Sequence, residues 1–157
     1  MTGVDRKPMP FLQTKFDENQ GSFSPDVRWI AYTSNESGTY QIYVQPFPAS
    51  GAKWQISATG GAFPRWNRNG RELFYIANDG KLMSVAVRSN GAKFEAEVPK
   101  ALFDARLPIT VTGGNSTFIP YAVSADGQRF LITVGVSDRA LAPITLLVNW
   151  PAALNKK

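Results

Sequence analysis

Cysteine and histidine are both absent from the 157-residue chain. Without cysteine there is no disulfide to staple the fold and no thiolate to bind a metal. Without histidine there is no Ser-His-Asp triad, no Cys-His pair and no imidazole-bound metal. Ser22, Ser24, Ser84 and Ser124 therefore lack an imidazole base, and no spacing joins any of them to a lysine. Hydrolytic chemistry is left to carboxylates or to a hard cation such as calcium. Long apolar runs are missing too. None approaches the ~20 residues of a membrane-spanning helix, and the opening MTGVDRKPMP has no apolar signal core. No membrane insertion is expected, and an export signal would belong to a longer parent chain.

Charge clustering is the next absence. Lys and Arg number 17 against 12 Asp and Glu, a net +5. Yet Arg28, Lys53, Arg65, Arg68, Arg71, Lys81, Arg88, Lys93 and Lys100 are scattered, and only Lys156-Lys157 form a run. A nucleic-acid surface gathers its cations, so no nucleic-acid partner is expected. What the chain does have is a 43% hydrophobic content. That is ample for one core, and the length suits a single domain.

The informative feature is a repeated turn. Ser24-Pro25-Asp26-Val27-Arg28 leads into WIAY, Asn67-Arg68-Asn69-Gly70-Arg71 into ELFY, and Ser124-Ala125-Asp126-Gly127-Gln128 into RFLI. One large apolar residue precedes each turn: Phe23, Trp66 and Val123. Gly occupies the fourth turn position twice, as a hairpin favours, and Val27 departs from it at a cost in turn stability. The intervals are 43 and 57 residues, the excess lying in the loop-like stretch 106–117. A period of about 40–45 residues holding several short strands marks a propeller blade. Second strands are expected at Tyr40–Val44, Leu82–Val87 and Ile144–Val148, and outer strands at Lys53–Ile56 and Val98–Phe103. No helix is expected. The runs ELFYIA and RFLITVGV are apolar on both faces, which suits sheets packed face to face.

The expected fold is all-β: three four-stranded propeller blades, half of a six-bladed β-propeller, at about 19–57, 58–104 and 118–150. Pro10–Thr14 would supply a closing strand, within one domain of residues 9–157 behind a flexible terminus of residues 1–8. Three blades cannot close a ring, and their end faces would be large apolar patches. A homodimer that completes the ring is therefore expected.

The stretches FSPDVRWIAYTSNES, YQIYVQPFP, GGAFPRWNRNGRELFYIANDGKLMSVAV and YAVSADGQRFLI resemble TolB-type β-propeller repeats. They are similar in particular to the C-terminal propellers of bacterial eukaryotic-like serine/threonine kinases. The resemblance spans roughly residues 9–150. It implies a scaffold that works outside the cytoplasm, and this chain has none of the kinase catalytic motifs.

Asp26, Asn69 and Asp126 hold equivalent turn positions, and their repetition reads as Asx-turn structure. Most of the Trp and Tyr residues fall at blade-core positions. Of the remaining candidates, Glu18 and Arg65 are expected to face the axial channel, and Asp17, Asn19, Asn35 and Glu36 lie in loops, where propellers place their binding faces. Glu18 precedes an innermost strand at Gly21–Phe23 and is the candidate catalytic carboxylate; Arg65, Glu18, Asn19 and Tyr121 are candidate ligand contacts; and Asp17, Glu18, Asn35 and Glu36 are candidate calcium ligands. The leading expectation is a binding or interaction module without its own catalysis. Its ligand, a small molecule or peptide, would sit at the channel mouth. The alternative is a calcium-dependent hydrolase, a lactonase or esterase built on loop carboxylates, by analogy with propeller lactonases.

Overall fold

The computed structural model describes residues 7–91, 93–107 and 119–134, with the backbone of 145–147. The described residues contain strands and turns and no helix, hence none long and apolar enough to cross a membrane. Among the described residues, twelve strands form three antiparallel sheets. Sheet 1 has β1 (Glu18–Phe23), β2 (Trp29–Ser34), β3 (Gln41–Pro46) and β4 (Trp54–Gln55) in that order. Sheet 2 begins with β5 (Ala62–Trp66), β6 (Glu72–Ile76) and β7 (Lys81–Asn90). β7 then serves two partners: β8 (Lys93–Ala96) pairs with its far half and β9 (Lys100–Asp104) with its near half. Sheet 3 has β10 (Tyr121–Val123), β11 (Phe130–Ile132) and β12 (Thr145–Leu147).

The repeated turn has the same construction three times. The backbone N–H of Val27, Gly70 and Gly127 donates to the carbonyl three residues back, at 2.8, 2.9 and 2.9 Å. The carboxylate or amide oxygen of Asp26, Asn69 and Asp126 accepts the N–H two residues on, at 3.2, 2.8 and 3.0 Å. All three fourth positions are left-handed, at φ of 60°, 69° and 71°. Only glycine adopts this without strain, so Val27 is strained as its β-branch requires.

Alternation along the strands explains the packing. Trp29 and Ala31 of β2 join Ile42, Val44, Leu73, Tyr75 and Val85 in one apolar layer between sheets 1 and 2. Phe74 and Ile76, the intervening residues of β6, face the other way and meet Tyr121, Phe130 and Ile132 of sheet 3. Phe74 and Phe130 make an edge-to-face pair at 5.1 Å, and both are fully buried. Burying each ring is worth roughly 1.5–3 kcal/mol. The central strand β6 is therefore apolar on both faces because sheet 2 sits between sheets 1 and 3.

The inner strands carry a second repeated device. β1 pairs Asn19 with Thr33 and then Ser22 with Ala31; β5 pairs Ala62 with Ile76 and then Arg65 with Phe74. Each has one extra residue, a β-bulge. Gln20 and Phe63 lie at its bend with φ of 59° and 61°. The Gln20 side-chain oxygen accepts from Thr33 Oγ1 at 2.8 Å within sheet 1 and from the Phe63 N–H at 2.8 Å across to sheet 2. The Phe63 carbonyl in turn accepts the Tyr121 hydroxyl of sheet 3 at 2.8 Å.

One expectation is corrected and one element is added. Pro10–Thr14 forms no strand. Phe11 and Leu12 instead pack on Ile30, Tyr32 and Tyr43 of sheet 1, because apolar side chains without a sheet edge to join cover an apolar face. The hairpin strand β8 was not expected, since four alternating residues after Asn90-Gly91 are too short to stand out from a linker. The expected flexible terminus lies mostly, and the expected 106–117 loop and the ends of the third unit lie largely, outside the described residues.

Two outcomes follow from the turns. Val27→Gly should raise stability by roughly 1 kcal/mol, whereas Gly70→Val or Gly127→Val should lower it by roughly 1–3 kcal/mol, measured by urea denaturation. At Gly127 the added Cβ would also lie 2.1 Å from Asn67 Nδ2. Asp26 and Asp126 both titrate below the ordinary 3.8. For Asp26, burial opposes ionisation, but the Ser24 hydroxyl, the Arg28 N–H and the Arg28 charge outweigh it. For Asp126 the Ser124 hydroxyl leads, followed by the Gln128 N–H. A depressed carboxylate stabilises above its unfolded pKa and loses that contribution as pH falls through the folded value. Stability should therefore drop below pH 3.8, and the double variant Asp26→Asn, Asp126→Asn should flatten that acid limb.

Candidate functional site

The first strand of each sheet forms the same edge of the stack, and the channel candidates fall on or beside it. Glu18 and Asn19 open β1, paired in register with Ser34 and Thr33, and both are half-buried. The Glu18 carboxylate accepts the Thr14 hydroxyl. Asn19 has no side-chain partner among the described residues. Arg65 is half-buried on β5, beyond the bulge, and donates from Nη1 to the Pro64 carbonyl at 3.0 Å. Glu18 and Asn19 thus lie at the opening of β1, whereas Arg65 lies further along the inner edge, at the β5 position that corresponds to Ser22, and the structure does not bring the three together.

Tyr121 does not belong with them as a ligand contact. It is 3% exposed, and its hydroxyl is committed to Phe63. Burial pushes its pKa far up, against a smaller opposing effect of the Arg65 charge. A phenol with its donor spent and its ring enclosed holds two sheets together.

The four candidate calcium ligands separate into three local interactions. Asp17 Oδ2 accepts from Tyr40 OH at 2.9 Å and from Asn35 Nδ2 at 3.3 Å, while Asn35 Oδ1 accepts the Asp17 N–H at 3.0 Å. Glu36 pairs with Lys53, whose Nζ lies 2.6 Å from Oε2. Glu18 turns to Thr14. Among the described residues, no three of His, Cys, Asp and Glu come together to hold a metal ion. The physical reason is charge satisfaction: each carboxylate already has a nearby donor.

The sequence reading missed a cleft between sheets 1 and 2, at the end carrying the repeated turns. It encloses about 580 Å³, within the range of ligand sites. Trp29, Trp66 and Phe94 form its apolar wall, with ring centroids 4.9 Å apart for Trp29–Phe94 and 6.3 Å for Trp66–Phe94. Trp66 is oriented by an Nε1 hydrogen bond to the Ser22 carbonyl at 3.0 Å. Asp26, Asn69 and Arg71 supply the polar rim. The signal was present in the paired turns, but Phe94 arrives on the unexpected β8.

Neither a family model nor a curated protein sequence matches the chain. Solved structures do. An oligogalacturonate lyase from Vibrio parahaemolyticus matches with a TM-score of 0.52 and 13% identity, over 78% of this chain and 31% of that one. TolB from Acinetobacter baumannii matches with a TM-score of 0.39 and 16% identity, over 88% of this chain and 43% of that one. The chain thus spans about a third of the lyase's length and under half of TolB's. The likeness to the lyase shows an all-β propeller-type fold and nothing of its chemistry.

Tyr121→Phe should cost about 1–2 kcal/mol in chemical denaturation, because it leaves the buried Phe63 carbonyl without its donor. A change under ~0.3 kcal/mol would show that the hydroxyl is not structural.

Proposed function

We propose that the chain is a three-bladed arc of a TolB-like propeller that acts as a binding module without catalysis of its own. A second copy completes the ring, and the ligand, a small molecule or peptide, lies at the channel mouth beside Glu18 and Asn19, with Arg65 further along the channel wall. The observation that carries this reading is the unfinished outer face of sheet 1. Leu73 and Tyr75 of β6 are buried beneath sheet 1. Ile30 and Tyr32 hold the equivalent positions 43 residues earlier, where Phe11 and Leu12 are the packing partners. The Tyr32 hydroxyl is buried without an acceptor among the described residues. Phe23, at the position of Trp66, is 51% exposed.

Ile30 and Tyr32 are already buried under Phe11 and Leu12, so Phe23 and its neighbour Phe47 are the part of this face left for another sheet to cover. Sheet 3 offers a counterpart, since Leu131 is 48% exposed on the face opposite Phe130 and Ile132. Sheet 1 of one copy on sheet 3 of the other, made twice, gives a closed two-fold ring of six blades, within the known range of about four to eight. In a kinase-type propeller, further blades of the same chain would take the second copy's place.

Light scattering should report twice 17.2 kDa, and Leu131→Arg should return the mass to 17.2 kDa. A parent chain that stays monomeric at every concentration overturns ring completion by a second copy.

A further inference from the structure

The far half of β7 runs beyond the end of β6, and its outer ladder groups are left open. β6 reaches β7 at the Glu72–Ala86 pair, and the last bond on that side runs from the Val87 N–H to the Arg71 carbonyl at 2.9 Å. On the opposite side, the Glu97 N–H donates to the Ala86 carbonyl at 2.9 Å, and β8 pairs from Val87–Ala96 to Asn90–Lys93. Antiparallel strands alternate between bonded and non-bonded pairs. Arg88 and Asn90 therefore point their backbone groups at β8, while Val87 and Ser89 point theirs away. The Arg71 N–H is turned to Asn69 Oδ1 at 2.8 Å. Among the described residues, the Val87 carbonyl and both backbone groups of Ser89 are left as an unpaired strand edge.

That edge borders the cleft, and Val87 and Ser89 both line it. Arg71 lies directly across from Val87 and shares its face. Its guanidinium is exposed and has no ion-pair partner among the described residues. Asp26 brings the opposite charge, but its carboxylate is held locally by Ser24 Oγ at 2.6 Å and the Arg28 N–H. The aromatic wall stands beside these groups.

We propose that this cleft binds an extended acidic peptide by strand addition. The peptide's backbone pairs with Ser89 and the Val87 carbonyl. An apolar side chain enters against Trp66 and Phe94, and a carboxylate two residues away meets Arg71. The edge selects an extended backbone, the wall an apolar residue, and the unpaired guanidinium on a chain of net charge +5 selects the acid. The groove lies within one chain, so it stands apart from ring completion and from the channel mouth.

The test is fluorescence anisotropy with fluorescein-labelled Leu-Ser-Glu-Ser-Leu amide, whose first, third and fifth side chains share one face. The peptide should bind saturably, and Leu-Ser-Lys-Ser-Leu amide about tenfold more weakly or worse. Arg71→Gln should weaken the acidic peptide by about tenfold. Ser89→Pro removes only the outward N–H, which a strand edge tolerates. It should likewise weaken binding by about tenfold with the melting temperature kept, while Ser89→Ala binds as the parent does. No saturable binding up to ~1 mM, equal binding of the lysine peptide, or full affinity in Ser89→Pro overturns the proposal.

Discussion

The stack of sheets depends on a hydrogen-bonded relay along its inner edge. Gln20 reaches from the bulge of β1 to the N–H of Phe63, and Phe63, in the bulge of β5, takes the hydroxyl of Tyr121 on β10. Each bond crosses between sheets. Apolar layers are non-directional and permit sliding; hydrogen bonds of 2.8 Å do not. The bulges make the relay possible, because the extra residue turns a backbone group out of its own ladder and toward the neighbouring sheet.

Around this relay, the faces are filled in strict alternation. β2 gives Trp29 and Ala31 to one side and Ile30 and Tyr32 to the other, and β6 repeats the division with Leu73 and Tyr75 against Phe74 and Ile76. The division is complete where a sheet has two neighbours. At sheet 1 it ends in an improvised cover of two side chains and a buried phenol with no partner among the described residues.

Much of this was legible in the residues. The turn triplet, its left-handed fourth position and its Asx acceptors were readable because they rest on local chemistry, and even the strain at Val27 could be anticipated. The run ELFYIA, apolar on both faces, pointed correctly to a sheet between sheets, whereas RFLITVGV supplies β11 of sheet 3, where Leu131 is exposed. The bulges were not legible, since Gln20 and Phe63 hold a conformation that sequence assigns to glycine, and only contacts from adjacent sheets sustain it. Tyr121 was misread for the same reason, as its role is set by a carbonyl 58 residues away. Asp17, Glu18, Asn35 and Glu36 looked like a ligand set because they crowd two loops. Their actual partners, Tyr40, Thr14 and Lys53, are polar groups that composition alone does not rank above a cation. The cleft escaped notice because its wall is assembled from three separated stretches.

The two-sided apolar character of β2 has a consequence for how the chain acquires its structure. A single sheet with both surfaces greasy has no soluble form by itself, so the smallest self-sufficient unit is a couple of adjacent units joined by their shared layer. Because adjacent units also follow one another along the polypeptide, order can spread from one to the next in the manner of a linear array. The segment holding Phe11 and Leu12 precedes sheet 1 in the polypeptide, so it is made before the surface it covers and can shield that surface while the next unit has yet to be made.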